Sequence, residues 1–213
     1  MNENSVLSWA ALIGGGFLIG GIMFSQIFPK IILGKDIYGV SADHNPGSAN
    51  VFISCGVPLG FLCLFFDMLK GFLPVFLAVR LLDVQQIYFA AVLTAPVLGH
   101  ALAPFNHFHG GKCIATTFGE MLALLPETRV GLILAGLYIL FSVIVKVNPI
   151  HRRSILTFSL FGILSAAVLI AEKRYSFAVG CVLISVIAIV RHMRRFCVPS
   201  ESIGIEETAG SDE

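Results

Sequence analysis

The chain has 213 residues, a formal net charge of +1, 56% hydrophobic and 13% charged residues, and a mean hydropathy of +0.88. Soluble domains carry about 25% charged residues, and a compact soluble fold of this length still exposes too much surface to hide so many apolar side chains. Composition therefore excludes an ordinary water-soluble globule, and the near-zero net charge gives no electrostatic footprint for nucleic acid.

The first residues, MNENS, hold no Lys or Arg before the first apolar run, and no small-residue cleavage site follows. The first helix is therefore expected to be retained rather than removed as a signal. A spanning helix needs about 20 mostly apolar residues. Seven candidate segments follow in order, near 5–29, 51–82, 84–105, 113–126, 129–147, 154–171 and 175–190. Gly14–Gly21 in the first is a stretch suited to close helix packing. The second is overlong and carries Asp67, Lys70 and Arg80, so it should be tilted, bent or partly outside the bilayer; Asp67 and Lys70, three apart, can pair on one helix face. The fourth is short and should start inside the membrane or a protein-lined cleft, where irregular backbone is tolerated if covered. No internal repeat is visible.

With the N-terminus outside and seven crossings, Lys30, Lys35, Lys112, Lys146, Arg152, Arg153, Arg191, Arg194 and Arg195 fall on the cytoplasmic side. Only Arg129, Lys173 and Arg174 fall outside, which satisfies the positive-inside rule. Residues 1–197 then form one all-α membrane domain, and the acidic stretch 198–213 is expected to be a disordered cytoplasmic tail. The cysteines, Cys55, Cys63, Cys113, Cys181 and Cys197, show no CxxC pairing and read as small core residues or reduced thiols.

Three polar islands break the apolar pattern, all on the side expected to be cytoplasmic; polar groups at a membrane boundary are costly and concentrate where function sits. Lys30–Asn50 ends in SADHNPGSAN, which supplies amides and hydroxyls at a helix start, an anion site or simply an Asn-Pro-Gly turn with a cap. Gly99–Cys113 contains Gly110, Gly111 and Lys112 just before an apolar run: flexible backbone, a point charge and a helix N-terminus, followed by Thr116 and Thr117. It is not a Walker A loop, because the GxxxxGK[ST] spacing is missing. His107 and His109, with His44 and Cys113, do not have established zinc spacing, so no metal is expected. Arg191–Arg195 reads as a topology anchor that meets anionic lipid heads.

Taken together, the chain resembles the acyl-phosphate-dependent glycerol-3-phosphate acyltransferases of bacterial membranes, the PlsY type. Gly20–Lys30 and Asp43–Ile53 match the family's first motif, and Asp67, Lys70, Gly71, Pro74 and Val75 match its DxxKGxxPV element. Gly99, His100, Phe105, Phe108, Gly110, Gly111, Lys112, Ala115 and Thr116 match GHxxPxFxxFxGGKGxAT, and Arg191 with His192 match RHxxN. The resemblance implies seven helices with the N-terminus outside. It implies transfer of an acyl group from fatty acyl phosphate to the 1-hydroxyl of glycerol 3-phosphate in the plasma membrane, without a cofactor.

By the same resemblance Lys112, His192, Asn45 and Asp43 are the expected catalytic residues. Gly47, Ser48, Asn50, His100, Gly110, Gly111, Thr116 and Arg195 are the expected substrate contacts. The family's serine, arginine, proline, glycine and asparagine are here Asp43, Ile53, Ala103, Cys113 and Arg195. These replacements leave room for a different acceptor, or for a lipid- or anion-binding or transport protein on the same scaffold. An HxxxxD acyltransferase is disfavoured, because no histidine has an aspartate five positions later.

Overall fold

The computed structural model describes residues 3–193, and every regular element among them is helical. Arg194, Arg195, Cys197 and the expected acidic tail lie outside the described residues. The order is α1 (Glu3–Gly20), α2 (Phe24–Leu33), α3 (Ile37–Val40), α4 (Ser48–Cys55), α5 (Val57–Leu81) and α6 (Phe89–Leu102). A 3-10 turn (Pro104–Asn106) leads to α7 (Ile114–Ala123), α8 (Val130–Ile139, continued by a π-helical turn, Leu140–Ile144), α9 (Ile150–Ala171) and α10 (Tyr175–Met193).

Four of these stretches are long and apolar enough to cross a membrane: α5, Phe89–Asn106, α9 and α10. The pair α1–α2, bent by 42°, makes a fifth if taken as one span, and Val130–Ile144 is a shorter apolar helix. The expected segments 5–29 and 51–82 are each divided, and the fourth is short, as expected. The run 51–82 is divided at Gly56, whose φ of +90° breaks the helical ladder, so that α4 is a separate short helix. The run 113–126 forms only the ten-residue α7, about 15 Å long at 1.5 Å per residue. The short fourth run agrees with the length expected for it, whereas the division at Gly56 is invisible to hydropathy, which sums side chains and is blind to one backbone angle.

The helices bury Trp9, Phe89, Phe158, Phe161 and Phe177 at their centre. Phe61, Phe65, Leu132, Ile163 and Val186 face outward and are more than half exposed. Large aromatic and aliphatic side chains on the outside of long apolar helices have lipid as their solvent, and the chain is an all-α integral membrane protein. Tight crossings use glycine: a β-carbon at Gly20 would lie 2.2 Å from the Pro96 carbonyl oxygen, and one at Gly99 2.1 Å from that of Phe17. Gly14 and Gly15 face open space, so close packing is confined to the later part of Gly14–Gly21. Cys63, Cys113 and Cys181 are buried free thiols.

Asp67 and Lys70 do pair, with Nζ 2.9 Å from Oδ1 and both side chains 1% exposed. The pair sits against the α1–α2 break, where Ser25 Oγ donates to Asp67 Oδ2 at 2.5 Å and Lys70 Nζ donates to the Ile22 carbonyl at 2.5 Å. A break frees backbone carbonyls from the helical ladder, and Lys70 satisfies one of them.

Loops segregate to two ends of the bundle. At one end Arg174, after α9, reaches Glu127, after α7, at 3.2 Å. At the other end the loops before α4, α7 and α9 come together with the end of α10. The turn leaving α6 sets the second of these loops. Ala103 has φ +45° and its N–H donates to the Gly99 carbonyl at 2.7 Å. A proline, fixed near φ −65° and lacking the N–H, fits neither feature; Ala103→Pro should cost about 3 kcal/mol or more. Unfolding midpoints in detergent would register it, and an unchanged midpoint would contradict this turn geometry. In this chain the proline stands one residue later, at Pro104.

Candidate active site

The first part of the site is the loop between α3 and α4. Asp36 caps α3 by accepting from the Gly39 amide at 3.2 Å. Beyond α3, Ser41 Oγ accepts from the Asn45 amide at 3.0 Å, and the Gly47 amide donates to the Asn45 carbonyl at 2.8 Å. Gly47 and Ser48 open α4. From its first turn Asn50 Nδ2 donates to the Asn45 carbonyl at 2.7 Å and to Asp43 Oδ1 at 2.6 Å. One amide thus folds the loop back and presents the Asp43 carboxylate.

The second part is the loop between α6 and α7. The Gly111 amide donates to the His100 carbonyl at 3.1 Å, laying the chain against the last turn of α6. A β-carbon would fall 2.1 Å from the Ala101 carbonyl oxygen at Gly110, and 2.2 Å from His100 Nε2 at Gly111. Both glycines are required for this packing, whatever the loop also binds. Arg191 reaches in from α10, donating through Nε to the Gly111 carbonyl at 3.1 Å and through a terminal nitrogen to the Gly110 carbonyl. The expected membrane anchor at Arg191 is therefore corrected: its guanidinium is a clamp on the glycine loop.

Lys112 leaves this clamped loop and meets Asp43, with Nζ 2.7 Å from Oδ2 across 69 residues of sequence. The pair lies at a cavity of about 670 Å³ that is also lined by Asn148, Pro149, Ile150 and His151, from the turn into α9. That volume suits a small-molecule ligand.

The expected residues therefore divide into two groups. Asp43, Asn45, Gly47, Gly110, Gly111 and Lys112 belong to the two loops that meet at the pair, and Ser48 and Asn50 to the first turn of α4 beside them. His100, Thr116 and His192 are buried, at 4%, 0% and 0% exposure, and line neither this cavity nor the smaller one near α2. The His100 ring lies under Gly111, and His192 Nδ1 is 2.7 Å from the Ala188 carbonyl one turn back. Ile53, at the position of the family arginine, is 83% exposed and lines neither cavity. Asn148 and His151 were not expected; two polar side chains flanking Pro149–Ile150 at the start of an apolar run were the available signal.

The lysine–carboxylate pair lies among the loops at one end of an apolar helical bundle, the arrangement of an integral membrane protein with a polar site outside its long helices. The family model for glycerol-3-phosphate acyltransferase matches residues 10–196, and the chain belongs to that family. A glycerol-3-phosphate acyltransferase of Syntrophotalea carbinolica is 31% identical over 186 residues, which are 87% of this chain and 90% of the relative. One from Lawsonia intracellularis is 39% identical over 108 residues, which are 51% of this chain and 54% of the relative, so this match spans about half the relative's length. The crystal structures of PlsY, an integral membrane glycerol 3-phosphate acyltransferase, in its glycerol 3-phosphate and lysophosphatidic acid forms superpose with TM-scores of 0.76 and 0.73. Each is 26% identical and covers 89% of this chain and 90% of its own.

Proposed function

We propose that the Asp43–Lys112 pocket transfers a fatty acyl group from acyl phosphate to the 1-hydroxyl of glycerol 3-phosphate, giving lysophosphatidic acid and phosphate. Family membership and the two ligand-bound forms of PlsY support this reading. The observation that carries it is Lys112, a cation set at the cavity by a loop whose backbone Arg191 clamps. The acceptor phosphate displaces the Asp43 carboxylate from Lys112. Asp43 and Asn50 then orient the acceptor hydroxyl toward the acyl carbonyl. A new carbon–oxygen bond forms to glycerol, the bond from the acyl carbon to phosphate oxygen breaks, and the hydroxyl proton leaves on the departing phosphate. Acyl phosphate is an activated donor, so orientation and charge neutralisation supply most of the acceleration.

His100, Thr116 and His192 act behind the loop, holding its shape. The acyl chain lies among the helices. Seven crossings with the N-terminus outside would place the pocket on the cytoplasmic face of the plasma membrane, where glycerol 3-phosphate arrives from water. The test is phosphate release from palmitoyl phosphate by the purified protein, with and without glycerol 3-phosphate. Release that is independent of the acceptor would overturn the assignment.

A second reading, the same transfer to a different acceptor, is favoured by one observation: a carboxylate holds Lys112 where the family has serine. If glycerol 3-phosphate is the acceptor, Asp43→Ser frees Lys112 and lowers its KM about tenfold, the equivalent of 1.4 kcal/mol. An unchanged KM would instead favour an acceptor that is held by the carboxylate itself.

A further inference from the structure

A second cavity, of about 500 Å³, opens between α2 and the loop after α6 and shares no lining residue with the Asp43–Lys112 pocket. Its polar wall holds one cation and one anion, Lys30 and Asp36, which are close enough to influence each other. Hydrogen bonding from Gln26 chiefly, with the Gly39 amide, holds the Asp36 carboxyl below the usual carboxylate range. Asp36 is therefore ionised at neutral pH, and a purely anionic ligand would meet its charge. Tyr38 presents a ring beside it, with the His109 ring tilted by 34° against Tyr38 at 4.1 Å between centroids. His107 adds an exposed imidazole to the wall.

The other edge is apolar. Ile27 and Phe105 line the cavity and are 37% and 65% exposed, and Ile31, one turn along α2, is 77% exposed. The cavity sits where α2 ends at the left-handed Gly34 and the chain passes into a polar loop, the kind of boundary at which an apolar helix meets lipid headgroups.

We propose that this cavity holds the headgroup of a zwitterionic phospholipid bearing a phosphate and a primary ammonium. The phosphate meets Lys30 and His107, the ammonium meets Asp36 and the face of Tyr38, and the acyl chains run along Ile27, Ile31 and Phe105. The site is separate from the proposed transfer chemistry and does not depend on it.

The test is native mass spectrometry of the full chain released from detergent containing equal phosphatidylethanolamine, phosphatidylcholine and phosphatidylglycerol. The expected result is one retained phosphatidylethanolamine, favoured about tenfold over the other two, roughly the worth of one charge-assisted contact. Asp36→Asn keeps the cap on α3, because its amide oxygen still accepts from Gly39. It should erase the preference for phosphatidylethanolamine over phosphatidylglycerol. Lys30→Gln, at an exposed position, should reduce retention of all three. Equal retention of the three lipids by the unaltered chain would overturn the proposal, as would unchanged preference in both variants. Displacement of the lipid by soluble glycerol 3-phosphate would also overturn it, by assigning the lipid to the Asp43–Lys112 pocket.

Discussion

Lys112→Ala is expected to lower kcat/KM for glycerol 3-phosphate by about two to three orders of magnitude, the range found when one preorganised charge-stabilising donor is removed. The side chain is 16% exposed and pairs with Asp43, which keeps its bond from Asn50. Removing it should therefore leave the fold intact. The loop that carries it is held independently, by Gly111 on His100 and by Arg191 on both glycines. The loss should appear as a fall in acceptor-dependent phosphate release at an unchanged unfolding midpoint. Activity within threefold of the unaltered protein would remove Lys112 from the chemistry and with it the proposed pocket.

The second large effect is on stability. Among the described residues, Lys70→Met leaves Asp67 in the bundle with Ser25 as its remaining hydrogen-bonding partner, and it strips the donor from the Ile22 carbonyl. Breaking a buried pair by removing one partner costs about 3–5 kcal/mol, because an uncompensated charge remains. Replacing both partners by apolar residues of similar volume is often neutral. Asp67→Leu combined with Lys70→Met should therefore recover much of the loss in unfolding midpoint. A double variant as unstable as the single one would show that the bond to Ile22, rather than the uncompensated carboxylate, is what matters. Activity should fall along with stability in Lys70→Met, since the α1–α2 break positions α2 and the chain leading to Asp43.

Much of this was legible in the sequence where the signal is local or additive. The apolar runs mark the long helices, the three-residue spacing of Asp67 and Lys70 marks their pairing, and the motifs in chain order mark the family. The loop residues around Asn45 and Lys112 were also legible, because polar groups at a membrane boundary need a reason to be there. What was hidden depends on backbone angle or on distance along the chain. The break at Gly56 is a single φ inside an apolar run. The Asp43–Lys112 contact joins residues 69 apart. Gly110 and Gly111 suggest room for an anion, yet the atoms that exclude a β-carbon belong to α6. The same composition reads Arg191 as an anchor, because nothing in RHMRR reveals which way the guanidinium turns.

The Arg191 clamp also bears on biosynthesis. The carbonyls it holds belong to residues made 80 and 81 positions earlier. During translation the glycine loop and Lys112 leave the ribosome well before their fastener exists. The pocket cannot take its final shape until α10 has been inserted and packed on α6 and α9. A nascent or prematurely terminated chain lacking α10 would hold the membrane with its apolar helices yet carry an unassembled site, which couples the onset of activity to completion of the bundle.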